Sequence, residues 1–298
     1  MKLSALQHLM AVVERGGIRA AARHLNVAQP VVTRSIQELE RELKVVPFER
    51  GKKGVSLTPM GEVFLRRAAL ATGELRRARE ELDQLRGETH GSLTIGLSMV
   101  AQIALLPDAL RQFRLRYPNV TLDLVDTVFP RIESSLKDGS VDFYVGPVPD
   151  SVSIELGTER IFQTRRIIFG RRGHPLARST SLRELVDAEW LTTAVTHKAE
   201  EEIAPLFAQY GLPAPRLAMQ AHSALTYVMV LANSDLLMIL PEPWTRFPMW
   251  RDGFEAISVT EALPARPICI ARRVGLPLTP AAEYFCDMLR RAAGHADG

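Results

Sequence analysis

Apolar residues at Leu3, Leu6, Leu9, Met10 and Val13 recur at helical spacing and stop at the Gly16-Gly17 pair, which predicts a first helix. Ile18 to Leu25 fits a second, short helix. Asn26-Val27-Ala28 reads as a tight turn, because Asn tolerates the left-handed backbone such turns need. A third helix is expected from about Gln29 to Leu43, with Pro30 in its first turn and Val32, Ile36, Leu39 and Leu43 as its buried stripe. Phe48-Glu49-Arg50 and Val55-Ser56-Leu57-Thr58 alternate as two short strands around a Gly51-Lys52-Lys53-Gly54 tip. Thr58 and Pro59 then suit the cap and first position of a long helix. In it Met60, Phe64, Ala68, Ala71, Leu75, Ala78, Leu82 and Leu85 recur at steps of three and four as far as Gly87. So narrow a seam on an otherwise charged helix predicts a partner helix, hence a homodimer at least.

Beyond Gly91 the period shortens. Leu93 to Leu97, Val120 to Val125, Val141 to Val145 and Ile167 to Phe169 read as strands, with helical stretches near 101–116 and 130–139 between them. That alternation predicts an α/β region with largely parallel strands, in which a ligand lies at the carboxyl ends of the strands or in a crevice between lobes.

A chain of 298 residues has room for two domains, and 46% hydrophobic with 24% charged residues is a globular composition. The apolar runs fall far short of the roughly 20 residues of a membrane span, and the amino terminus lacks the pattern of a secretory signal, so a cytoplasmic protein with no membrane partner is expected. Cys269 and Cys286 form neither a metal-ligand spacing nor a disulfide framework and are expected to be ordinary buried residues. The net charge of +3 matters only through its distribution: residues 1–60 carry ten Lys or Arg against five Asp or Glu, which leaves −2 for the other 238. A basic head on a nearly neutral body suits nucleic acid at the amino end.

The head is a helix-turn-helix with a basic wing, and double-stranded DNA is its expected partner. Gln29, Thr33 and Gln37 share a face of the third helix with Arg34 on its flank. Alone, that face is the ordinary polar side of a surface helix. With a short helix and turn before it and a wing after it, Gln29 is placed to read an adenine edge, and Thr33 to meet a base, a thymine methyl or a phosphate. Lys52 and Lys53 at the wing tip are expected on phosphate, and Arg19, Pro30 and Arg50 complete the DNA-facing set.

Ala20-Ala21-Ala22-Arg23-x-Leu25, Gln29-Pro30-x-Val32-Thr33-Arg34-x-Ile36-x-x-Leu39-Glu40, the wing, the long helix, and the stretch from Leu106-Pro107 to Tyr117-Pro118 together resemble the LysR-type transcriptional regulators over essentially the whole chain. Within that family the chain is similar to regulators of aromatic degradation genes. Two positions depart from the family pattern: Ile18 follows the glycine where Ser is common, and Ala28 stands where a Ser often caps the recognition helix. The missing hydroxyl costs about 1 kcal/mol of capping and removes position 28 from the expected contacts.

The resemblance implies an all-α winged helix-turn-helix with a linker helix, followed by an α/β, two-lobed, periplasmic-binding-protein-like effector domain. The winged head spans 1–58, the linker 59–87, the first lobe 91–161 with 267–298, and the second lobe 162–266. It further implies a homotetramer on an inverted-repeat operator, contact with RNA polymerase, and a small-molecule co-inducer bound between the lobes, with no other cofactor. The matching positions for that ligand are Ser98, Met99, Val100 and Gln102 after the first strand, the turns at Phe129 and Gly146-Pro147, and Thr196, His197 and His222 of the second lobe. Hydroxyl and N–H groups at the helix start after Ser98 suit an aromatic carboxylate or sulfonate. His197 and His222 would add donors, and Phe129, Phe162 and Pro147 an apolar wall.

An enzyme would need a catalytic constellation. There is no Gly-x-Ser-x-Gly, phosphate-binding glycine loop, His-Glu-x-x-His or cysteine pair at metal spacing. What the resemblance implies instead is a ligand-responsive activator of a catabolic operon. The alternative is a two-lobed small-molecule-binding protein or enzyme without a DNA function.

Overall fold

The computed structural model describes residues 1–51, 54–193, 200–221, 223–247 and 253–296. The chain divides into two compact units, Met1–Glu88 with Ser134–Val141, and Thr89–Glu133 with Asp142–Gly298.

In the first unit α1 (Leu3–Glu14), α2 (Ile18–His24) and α3 (Gln29–Leu43) enclose a small core of Leu6, Leu9, Val12, Ala21, Val32, Ile36 and Leu39. Asn26 takes the left-handed turn conformation at φ 53°, and Gly16 does so at φ 73° before α2. Ala28 caps α3 with no side-chain hydrogen bond, and Pro30 occupies its first turn. β1 (Phe48–Gly51) and β2 (Gly54–Leu57) pair antiparallel from Phe48↔Leu57 to Gly51↔Gly54.

α4 (Pro59–Leu85) starts at Thr58, whose Oγ1 accepts from the Gly61 N–H at 3.0 Å and donates to the Val46 carbonyl at 2.9 Å. Gly61 lies so close to the Pro47 carbonyl that a Cβ there has no space. Phe64, Leu65 and Ala68 join the head core, and Thr72 donates to the Met10 sulfur at 3.2 Å. The seam thus divides: Phe64 and Ala68 pack on their own unit, while Met60, Leu75, Leu82 and Leu85 are 66%, 51%, 55% and 70% exposed. Unlike the exposed Arg66, Arg67, Arg76 and Arg79 of the same helix, Arg77 is turned inward. It is buried, paired with Glu74 at 2.6 Å, and donates to the Gly139 carbonyl of the same unit.

The second unit contains two lobes. In one, β3 (His90–Leu97), β4 (Asn119–Asp126), β5 (Phe143–Pro147), β6 (Leu156–Phe162) and β12 (Ile268–Arg273) form a sheet in the order β4-β3-β5-β12-β6. β3 runs parallel to β4 and β5, but β12 is antiparallel to both its neighbours, so the sheet is mixed rather than largely parallel. α5 (Met99–Ala104), α6 (Leu106–Arg116), the start of α7 (Phe129–Lys137) and α10 (Pro280–Ala296) accompany it. The single helix expected near 101–116 is two, because Pro107 cannot donate within a continuous helix and instead opens α6.

The other lobe is built on β7 (Arg166–Arg171), flanked antiparallel by β10 (Met238–Pro241) and β11 (Phe254–Ile257). A parallel pair, β8 (Glu189–Thr193) and β9 (Arg216–Ala221), adjoins α8 (Glu200–Gln209) and α9 (Ala224–Ala232). The chain leaves the first sheet after β6 and re-enters it at β12. These two crossings are tied by Gln163 donating to the Ala265 carbonyl at 3.1 Å and the Arg166 Nε donating to the Pro264 carbonyl at 2.8 Å.

Candidate DNA-reading face and effector cavity

In the first unit the buried stripe Val32, Ile36 and Leu39 turns the opposite side of α3 outward. Gln29, Pro30, Arg34 and Gln37 are exposed along it, as is Arg19 on α2. Thr33 sits lower, half-buried, with its hydroxyl donating to the Gln29 carbonyl at 3.1 Å. Its remaining lone pairs and methyl are what it has left to offer a base or phosphate. Val27 and Val31, 37% and 49% exposed around the start of α3, had not been singled out in the sequence. Arg50 is held in register by Val55. Its side chain, with Lys52 and Lys53, falls outside the described residues.

In the second unit the cleft between lobes holds a cavity of ≈ 180 Å³. Ser98, Met99 and Val100 line it, because β3 ends at Leu97 and Ser98 caps α5, its Oγ accepting from the Ala101 N–H at 3.4 Å. Pro147 lines it from the end of β5. Asp126, Arg131, Tyr144 and, across the cleft, Tyr227 and Trp244 also line it, and no motif announced them. The Tyr144 hydroxyl hydrogen-bonds Ser98 and donates to the Pro147 carbonyl at 3.3 Å. Burial pushes the Tyr144 and Tyr227 phenols well above their ordinary range, so both stay neutral donors. The Tyr227 and Trp244 rings meet edge to face, centroids 5.5 Å apart. Among the described residues the lining thus combines aromatic side chains, hydroxyls, one arginine and one aspartate.

Several expected residues stand elsewhere. Phe162 is a core residue of the first lobe, buried at the end of β6 where it pairs with Ile268. It does not line the cleft cavity. Gln102 does not line the cavity but orients it, its amide donating to Asp126 at 3.0 Å and to the Leu97 carbonyl at 3.3 Å. Gly146 serves packing: a Cβ there would strike the Tyr144 hydroxyl and come within 2.7 Å of the Ser98 Cβ. Phe129 is buried edge-on to Tyr144, centroids 5.9 Å apart. Thr196, His197 and His222 fall outside the described residues, although Ala221, next to His222, lines the cavity. Among the described residues no group of His, Cys, Asp or Glu could hold a metal ion, and no helix is long and apolar enough to cross a membrane.

Residues 3–62 match the bacterial regulatory helix-turn-helix proteins of the lysR family, and residues 86–294 match the LysR substrate binding domain. The transcriptional regulator GbpR of Azospirillum brasilense is 25% identical over 98% of this chain and 87% of its own. TdcA of Escherichia coli K12, also a transcriptional regulator, is 23% identical over 97% and 93%. The structure of full-length CbnR complexed with its target DNA superposes with a TM-score of 0.70, at 25% identity over 98% of this chain and 100% of that one. The described face of α3 and the cleft cavity lie within the two matched segments, and the chain belongs to the LysR family of DNA-binding transcriptional regulators with an effector-binding domain.

Proposed function

We propose that this regulator is an activator of a catabolic operon whose co-inducer is a small aromatic carboxylate or sulfonate held in the cleft cavity. The observation that carries this is the lining itself: Tyr144, Tyr227 and Trp244 surround a space of ≈ 180 Å³ that Arg131 also lines. A volume below the usual 300–1,000 Å³ of ligand sites restricts the occupant to about one ring. In a partly desolvated cleft, a guanidinium pairs strongly with a carboxylate or sulfonate. In this reading the exposed seam of α4 pairs two chains and the paired dimers form a tetramer. The α3 helices enter successive major grooves of an inverted repeat, and ligand shifts the lobes to change contact with RNA polymerase in the cytoplasm. CbnR bound to its target DNA supports the DNA part by likeness of fold.

Calorimetric titration of the full chain with benzoate, benzenesulfonate and neutral benzamide tests the ligand class. Both anions should bind, benzamide much more weakly, and Arg131→Gln should weaken the anions by about 10- to 100-fold, the range of one charge-assisted hydrogen bond. Binding of benzamide equal to that of benzoate would remove the anion from the reading. Asp126 favours a second occupant, a zwitterion with its ammonium on Asp126 and its carboxylate on Arg131. Tighter binding of phenylalanine than of benzoate, abolished in Asp126→Asn, would select it.

A further inference from the structure

Pro147, Leu240 and Pro241 line the cleft cavity on one side and a second, larger cavity of ≈ 440 Å³ on the other. The second cavity reaches the two chain crossings, where Thr164, Ala265 and Arg266 contribute to its wall. Its size falls within the range of small-molecule sites. Phe129, Leu206, Ile239 and Ile268 make much of the surface apolar, and Pro130, Pro149 and Pro205 make it stiff.

The sign of its ligand follows from the charges. Among the described residues, Arg166 and Arg266 line this cavity and no Asp or Glu does, whereas Asp126 lines the cleft cavity. Arg166 is held at the crossing by its 2.8 Å bond to the Pro264 carbonyl. Arg266 is held weakly: its Nη1 is 3.3 Å from the Val148 carbonyl and 3.3 Å from Asp150, a side chain 98% exposed. Charge-assisted bonds usually close to about 2.7–2.9 Å, and exposed pairs contribute little, so a ligand anion can take this guanidinium over at small cost.

We propose that the crossing-side cavity is a second effector site, for an amphipathic monoanion whose apolar chain or ring packs on Leu206, Ile239 and Ile268 while its carboxylate meets Arg266. The ligand class follows from this cavity's own lining, whatever ligand the cleft takes. Because the site is lined by both crossings and shares a wall with the cleft cavity, its occupancy biases the angle between the lobes and the affinity of the first site, and by linkage the reverse.

Titration of the full-length protein with octanoate and with neutral octanamide tests this. Octanoate should bind at least tenfold more tightly than octanamide. Arg266→Gln and Gln209→Glu, the latter setting a carboxylate at the cavity edge, should each weaken octanoate by about tenfold or more. Arg131→Gln, in the other cavity, should leave octanoate binding within twofold. Both Gln209 and Arg266 are exposed, so both variants should fold, and if Arg266→Gln melts early, Gln209→Glu decides alone. No octanoate binding at millimolar concentration, binding indifferent to Gln209→Glu, or loss in Arg131→Gln would overturn the proposal.

Discussion

Gln29 and Gly61 show how differently two residues of one head depend on their surroundings. Gln29 is exposed at the start of α3 and supports no packing, so Gln29→Ala should leave folding unchanged. It should weaken operator binding by about 1–3 kcal/mol and random-sequence binding hardly at all, as read by competition titration at fixed salt. Gly61 is buried against the Pro47 backbone, which cannot rotate away. Gly61→Ala should destabilise the head by about 1–3 kcal/mol in urea unfolding. His8 has a third kind of dependence. Its Nδ1 is buried without a hydrogen-bond partner, and desolvation holds its pKa below the ordinary 6.5. The folded head therefore takes up a proton less readily than the unfolded chain. Its stability is full above pH 6.5 and declines as pH falls through the lower, folded pKa. Melting of the head between pH 7.5 and 5 should fall more steeply for the native chain than for His8→Gln. Local rules made Asn26 and the Thr58 cap legible, because their geometry is set within a few residues. They could not reach Arg131 or Tyr227, whose partners lie across a fold.

At the scale of elements, α4 is the instructive case. A seam from Met60 to Leu85 is visible in the sequence, but periodicity does not say what covers it. The structure assigns Phe64 and Ala68 to the head core and leaves Leu75, Leu82 and Leu85 open. Leu82→Glu should therefore leave the head folded and convert the assembly to monomers, seen as a halved or quartered mass in light scattering. An unchanged mass would locate the interface elsewhere. Capping residues and Pro107 explain where α4 and α6 begin, again from local chemistry. The antiparallel position of β12 has no local signature. It follows from a strand that returns more than a hundred residues after β6 and fills the gap between β5 and β6.

For the whole molecule, two units with separate cores imply separable activities. A body comprising residues 89–298 should bind the cleft ligand with nearly the affinity of the full chain while losing specific operator binding, measured by calorimetry and gel shift. Retention of operator binding by that body would move the DNA site out of the head. The sequence by itself determined the helix-turn-helix, the wing, the linker seam, the basic head and the alternation of strands and helices, because each is written in spacing, capping or charge within some tens of residues. Only the tertiary structure decided that Phe162 is core, that Gln102 orients Asp126 from behind, and that Arg131, Tyr144, Tyr227 and Trp244 surround one cavity. The physical reason is range. A ligand site between lobes is made by side chains brought together through two chain crossings, and no periodicity along the chain records which of them will meet.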